Sequence, residues 1–377
     1  MAKSIRKRIR FSIHYIFSAF AVLLLSSCSI MQAQKTLINN PVLKGANIGI
    51  AIYNDTKGKW VTKYQSDHNF TPASNVKILA TYIALQYLGD SLPGWKMAEN
   101  ADTLFLFPQG DPSFMHPDFK YQPIVDLIKN TKKQVVVCPF NTKDKFGEFG
   151  DGWAWNDRGE EYQVIRSRMP FLGNMYKYQT LSLNDTLKLP IHVGVFPTTG
   201  EIKTIKTVPT DSLLKIMMLR SDNFYAEQVL LMTSEQVLGR MDDAAIIDTI
   251  SKTEFANLPQ QMRWADGSGL SRYNLNTPEN YIAILKQMQT KFGEARIKNI
   301  FEKGGEGTIS TYYKNFPGEV YAKTGTLGGQ VALSGFIYTQ KDQKLYFSVL
   351  VGNHMSKTSS QVRKAVELYL TKIAKGN

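Results

Sequence analysis

The two ends of this chain are patterned for one sheet. Near the N-terminus, Asn47–Tyr53 has the apolar, β-branched look of a strand, Asn54–Lys59 is a turn cluster, and Trp60–Tyr64 reads as the returning strand of a hairpin. Near the C-terminus, three strand-like runs, Glu319–Lys323, Val331–Tyr338 and Leu345–Gly352, are joined by hairpin turns and followed by a helical pattern over Ser359–Ala374. A hairpin and helix at one end, with three strands and a helix at the other, predict a single antiparallel sheet completed by both termini, with the middle of the chain inserted. The expected class is therefore α+β.

The helix after the first hairpin carries the first chemical signal. Thr71 and Pro72 are turn residues, and Val76, Leu79, Ala80, Ile83 and Ala84 are spaced to bury one helical face up to Leu85. Ser74 and Lys77 stand three apart, which puts a hydroxyl and an amine on one face, within reach of proton transfer. The same spacing recurs at Ser4–Lys7, in a basic leader, and at Ser212–Lys215, where a helix N-cap is expected. Spacing alone leaves open whether Ser74 is a nucleophile or a capping serine beside a solvated lysine.

Lys3, Arg6, Lys7, Arg8 and Arg10 precede an apolar run from Phe11 to Leu25 and then Leu25-Ser26-Ser27-Cys28, a processing signal that does not belong to the fold. It resembles a bacterial lipoprotein signal, with Cys28 as the lipidated first residue of the mature chain and a membrane anchor. An ordinary cleaved signal and a retained membrane helix are the alternatives, the latter disfavoured because the fifteen residues Phe11–Leu25 fall short of the roughly 20 needed to span. Cys138 is then without a partner, so stability must come from packing, for which 377 residues that are 43% hydrophobic suffice. Removing the five leader charges leaves +8 of the formal +13. This mild basic excess suits an anionic surface or wall polymer; without clustered Lys/Arg runs interleaved with aromatics, nucleic acid is disfavoured as a partner.

From Gly89 to about Val195 the chain is richer in Pro, Gly, Asp and aromatics, with short strand-like runs at Thr103–Phe107 and Gln134–Val137 and a helix near Pro123–Lys129. It reads as an inserted, mostly β or mixed region. The expected organisation is a leader over 1–27, a first part of the catalytic domain over 28–88, the insertion over 89–195, and a second part over 196–377. In that second part, the pattern from Asp211 predicts a helix, a break near Ser221 and another helix, with further helices around Asp242–Ile250 and Pro278–Met288.

Ser221-Asp222-Asn223 falls at that break, and Lys323-Thr324-Gly325-Thr326 ends a strand just before a Gly-rich turn. With Ser74–Lys77 they form, in order, the S-x-x-K, S-D-N and K-T-G set of penicillin-recognising acyl-transfer enzymes. Ser182-Leu183-Asn184 is a decoy for the second motif. Asp266-Gly267-Ser268-Gly269-Leu270-Ser271-Arg272 with Asn276-Thr277-Pro278, Leu219–Asn223 with Ala226-Glu227, Gly307-Thr308, and Lys323–Leu327 with Ala332–Phe336 make the chain resemble D-alanyl-D-alanine carboxypeptidases of the penicillin-binding protein 4 type. A large insertion after the nucleophile helix is also that family's habit, and Gly110-Asp111-Pro112 and Gly152–Trp155 look like its landmarks.

The resemblance implies a β-lactamase/transpeptidase-like fold and a serine carboxypeptidase or endopeptidase acting on peptidoglycan stem peptides, with β-lactams as covalent inhibitors and no cofactor. It implies that Ser74 attacks, Lys77 is the base, Ser221 relays a proton, and Asn223 orients Lys77. Lys323 would be the second cation and would hold the substrate carboxylate with Thr324 and Thr326, Gly325 would let the strand approach the substrate, and the N–H groups of Ser74 and Thr326 would form the oxyanion hole. Asp222 is expected to face away. Burial on the apolar helix face and a second cation nearby could each supply part of the shift that makes a lysine neutral at pH 7–8. The alternatives are a serine β-lactamase or esterase on the same fold, and a non-catalytic wall-binding or β-lactam-sensing lipoprotein. Asp266–Arg272 reads as a loop needing positive φ at Gly267 and Gly269, Trp153 and Trp155 as core aromatics, and the scattered histidines give no metal-ligand spacing.

Overall fold

The computed structural model describes residues 30–174, 182–197 and 199–377. The expected leader, Cys28 and the Ser4–Lys7 decoy lie outside the described residues.

In chain order, α1 (30–38) leads into the hairpin β1 (Asn47–Asn54) and β2 (Lys59–Tyr64), then a 3-10 turn over Ala73–Val76 and α2 (Lys77–Tyr87). Next come β3 (Ser91–Glu99), β4 (Thr103–Pro108), α3 (Pro123–Asn130), β5 (Gln134–Val137), α4 (Leu183–Leu187), β6 (Ile191–Val193) and β7 (Lys203–Pro209). Five helices follow: α5 (Thr210–Arg220), α6 (Asn223–Leu238), α7 (Asp243–Lys252), α8 (Pro278–Phe292) and α9 (Glu294–Ile300). The chain ends with β8 (Glu302–Lys303), β9 (Glu319–Leu327), β10 (Gln330–Tyr338), β11 (Lys344–Gly352) and α10 (Ser359–Gly376).

The main sheet has the order β2-β1-β11-β10-β9-β8, and every ladder in it is antiparallel. β1 pairs β11 from Asn47 opposite Gly352 to Asn54 opposite Leu345, so the two termini do complete one sheet. Its central strands read as continuous apolar runs because both faces are covered. Ala51, Ala332, Phe336, Tyr346 and Leu350 pack with α2, α5, α6 and α8 on one side. Ile50, Ile52, Leu333, Phe347 and Val349 pack with Val362, Val366, Leu370 and Ile373 of α10 on the other.

A second, mixed sheet runs β6-β5-β4-β3-β7, with β4–β5 and β5–β6 parallel and its own core around Trp95, Leu106, Phe114 and Val137. This sheet continues past residue 195, because β7 pairs with β3. Three of its strands lack a sequence signal, β6 because it is only three residues long. β3 contains Pro93-Gly94, which punctuates the pattern, and the ladder absorbs them as register irregularities on both sides of Pro93. In β7 only Ile205 and Val208 are apolar among Lys and Thr. Ser212, expected as an N-cap, lies inside the first turn of α5 and is exposed, while Ser182 caps the short α4.

Candidate active site

Ser74 sits in the 3-10 turn rather than in the helix proper, which begins at Lys77. Two glycines let other segments close on that turn. A Cβ at Gly269 (φ +86°) would fall 2.0 Å from the Ala73 carbonyl oxygen, and one at Gly325 would fall 2.5 Å from that of Pro72. The missing side chain of Gly325 therefore serves the packing of β9 on the serine turn. Gly267 also has a packing reason in place of the expected positive φ: its Cβ would meet the Ala226 carbonyl oxygen at 2.4 Å.

Lys77 is completely buried. Its Nζ lies 2.9 Å from Ser74 Oγ, 2.6 Å from Asn223 Oδ1 and 2.7 Å from the Ser268 carbonyl oxygen. Asn223 reaches it because the helix breaks where the pattern predicted. Ser221 takes a left-handed conformation (φ 57°) that ends α5, and the Asp222 side chain caps α6 by accepting from the Tyr225 N–H. Asp222 thus faces its own helix. Asn223 Nδ2 donates to the Tyr162 carbonyl at 2.8 Å, which fixes the amide with its oxygen toward Lys77. The loop at Asp266 is built into the site: Asp266 accepts from the N–H groups of Gly269 and Ser271, Asn274 Nδ2 and Trp153 Nε1. Trp153 is therefore a strut to the loop, whereas Trp155 is 85% exposed and packs in no core.

Burial, and after it the charge of Lys323, push the Lys77 amine down to about 7. Lys323, on β9, is itself fully buried, and its Nζ lies 3.1 Å from Glu302 Oε1, equally buried on β8. Burial lowers the Lys323 amine too, against the pull of Glu302. Glu302 Oε2 accepts from Thr308 N–H at 2.8 Å and Thr308 Oγ at 2.6 Å. Since the Thr308 proton is thus engaged, its contact with Thr324 Oγ is one in which Thr324 donates. Thr324 is 3% exposed. Glu227, raised to about 7 by burial and by Asp266, accepts from the Ser268 N–H at 2.7 Å and braces the same loop.

A cleft of about 720 Å³ opens over this centre, lined on one side by Ser74, Ser221, Asn223 and Leu270 and on the other by Thr326, Gly328 and Ser359. The fold therefore brings Ser74, Lys77 and Asn223 into contact, sets Ser221 and Thr326 on the cleft wall, and holds Lys323 beneath it. Glu302 and the Ser268 carbonyl were not singled out from sequence. Glu302 lies in a two-residue strand with no period to read, and a backbone carbonyl leaves no residue-type signal.

The fold and this constellation set a serine, a buried lysine and an asparagine in one cleft, with a second buried lysine beneath it. Residues 31–169 and 197–373 match the model of the D-Ala-D-Ala carboxypeptidase 3 (S13) family, and the chain belongs to that family. It is 29% identical over 159 residues to penicillin-sensitive carboxypeptidase A of Dictyostelium discoideum, covering 37% of this chain and 30% of that one. It is also 29% identical over 162 residues to D-alanyl-D-alanine carboxypeptidase DacB of Haemophilus influenzae, covering 39% and 32%. The aligned part thus spans about a third of these curated relatives. The crystal structure of penicillin binding protein 4 (dacB) of Haemophilus influenzae superposes with a TM-score of 0.70 at 17% identity, over 90% of this chain and 98% of that one. A predatory peptidoglycan endopeptidase of Bdellovibrio bacteriovorus gives 0.58 at 15% identity, over 88% and 93%.

Proposed function

We propose that this chain is a serine D-alanyl-D-alanine carboxypeptidase/endopeptidase that hydrolyses peptidoglycan stem peptides or cross-links through an acyl-enzyme on Ser74. One observation carries the reading: a buried lysine with a pKa near 7 whose three neighbours are two carbonyl oxygens and one serine hydroxyl. A neutral amine has two N–H bonds and one lone pair. The oxygens of Asn223 and Ser268 can only accept, so they take the N–H bonds and leave the lone pair for the Ser74 proton.

Ser74 Oγ then attacks the carbonyl of the D-alanyl-D-alanine bond as Lys77 takes its proton, and the N–H groups of Ser74 and Thr326 receive the oxyanion. Ser221 passes the proton from Lys77 to the leaving amine, releasing D-alanine or one arm of a cross-link, and water hydrolyses the ester. Burial, with the charge of Lys323 second, keeps Lys77 neutral. The basic leader and Leu25–Cys28 support export, with a lipid on Cys28 holding the enzyme to a membrane of the cell envelope; the intact mass of the mature chain reads that lipid directly.

Muropeptides ending in D-Ala-D-Ala, and cross-linked dimers, incubated with the purified mature protein should release D-alanine or monomers, and Ser74→Ala should release neither. Benzylpenicillin should leave a long-lived adduct at Ser74, whereas its rapid turnover would favour a β-lactamase. A wild-type protein that cleaves no muropeptide contradicts the proposal.

A further inference from the structure

The resemblance assigns the substrate's terminal carboxylate to Lys323, Thr324 and Thr326, yet the structure commits the first two of these elsewhere. Lys323 is matched by an equally buried carboxylate, Glu302, and Thr324 donates into the chain Thr324–Thr308–Glu302. Lys323 Nζ thus already spends a hydrogen bond on a buried carboxylate instead of leaving it for a ligand. Thr326 is the member left on the cleft wall, and its hydroxyl is held by a different cation: Arg363 Nη2 donates to Thr326 Oγ at 2.6 Å.

Arg363 comes from α10, one turn beyond Ser359, which lines the same cleft. Its other hydrogen bond goes to the Thr308 carbonyl at 3.3 Å, so both described partners are neutral oxygens. Its Nε is buried without a hydrogen-bond partner among the described residues. The guanidinium is therefore positioned at both ends but not neutralised. Covalent geometry then fixes what it can reach. If the scissile carbonyl oxygen sits on the Thr326 N–H, the carboxylate of the leaving residue lies only three bonds from the carbonyl carbon, within about 4 Å, and so beside the Thr326 side chain.

Resting on the proposed peptidase reading, we infer that Arg363, on the C-terminal helix, is the cation that recognises the carboxylate next to the scissile bond, with the Thr326 hydroxyl as its partner in that contact. It is a specificity-determining residue: a terminal D-alanine carries that carboxylate, and a guanidinium can grip it in two parallel hydrogen bonds.

The test compares an acyl-D-Ala-D-Ala peptide with its C-terminal carboxamide, using wild type, Arg363→Ala and Arg363→Lys, with thermal midpoints measured alongside. Arg363→Ala should lower kcat/KM for the free acid about 10- to 100-fold, as expected for lost hydrogen bonds to a charged group, and should cut the acid-to-amide preference by a similar factor. Arg363→Lys, which keeps the charge but not the fork, should restore part of that preference. Wild-type turnover with an unchanged acid-to-amide ratio in Arg363→Ala overturns the assignment alone. No wild-type turnover of either peptide, together with no penicillin adduct at Ser74, overturns the peptidase reading and the assignment with it.

Discussion

A lysine with an ordinary pKa of 10.5 and a folded value of about 7 is a cost to the fold as well as a tool. Below pH 7 both folded and unfolded chains carry the proton, and the folded state bears the full penalty of a charged amine out of water. Between pH 7 and 10.5 the unfolded chain binds a proton that the folded chain does not, so this group makes stability rise with pH across that window. Lys77→Met should therefore abolish acylation yet stabilise the protein at pH 6. The gain should be about 2–3 kcal/mol once the lost hydrogen bonds to Asn223 and Ser268 are counted, shrinking toward pH 10. Denaturant midpoints at pH 6 and 9.5 measure it, and a Met variant less stable than wild type at pH 6 would contradict the picture of a strained amine. Ser74, Lys77 and Asn223 were legible in the sequence because reactive residue types recur there at fixed offsets. Glu302 and Arg363 were not, since each matters only for what lies next to it in space.

At the scale of elements, the serine turn is shaped by what presses on it. The loop at Gly269 and strand β9 at Gly325 both approach its backbone closer than any side chain allows, and Ala73 takes φ +48° between them. Gly269→Ala would place a methyl on the Ala73 carbonyl and force an unfavourable φ as well. It should slow acylation of Ser74 by at least about 100-fold, as small displacements of a reacting group do, with a fall in thermal midpoint. A variant acylated at the wild-type rate would show that the loop does not position the serine. The elements themselves were largely readable, including the hairpin, the break at Ser221 and the last three strands, because both faces of the main sheet are buried and its strands are long. β3 and β7 escaped because Pro93-Gly94 interrupts one and the other is an edge strand of Lys and Thr. The expected helix start was also displaced: periodicity sees the buried face from Val76 onward but not the 3-10 geometry before it.

Across the whole molecule, the chemistry depends on distant segments meeting. Lys77 touches Asn223, 146 residues away, and the Ser268 carbonyl, 191 residues away, and it feels Lys323 from a strand near the other end of the chain. Buried ion pairs of Arg166 with Glu227 and of Arg168 with Asp144 and Glu235 tie the segment before residue 169 to α6, the helix that presents Asn223. No fragment reproduces this arrangement, so the lowered Lys77 pKa is a property of the assembled fold. The most direct measurement is the rate at which a penicillin acylates Ser74, followed by intact mass from pH 5 to 9. The rate should climb about tenfold per pH unit below 7 and level off above it, as the neutral fraction of Lys77 saturates. A rate that is flat across this range, or still climbing at pH 9 toward an ordinary lysine midpoint, would contradict the lowered Lys77 pKa.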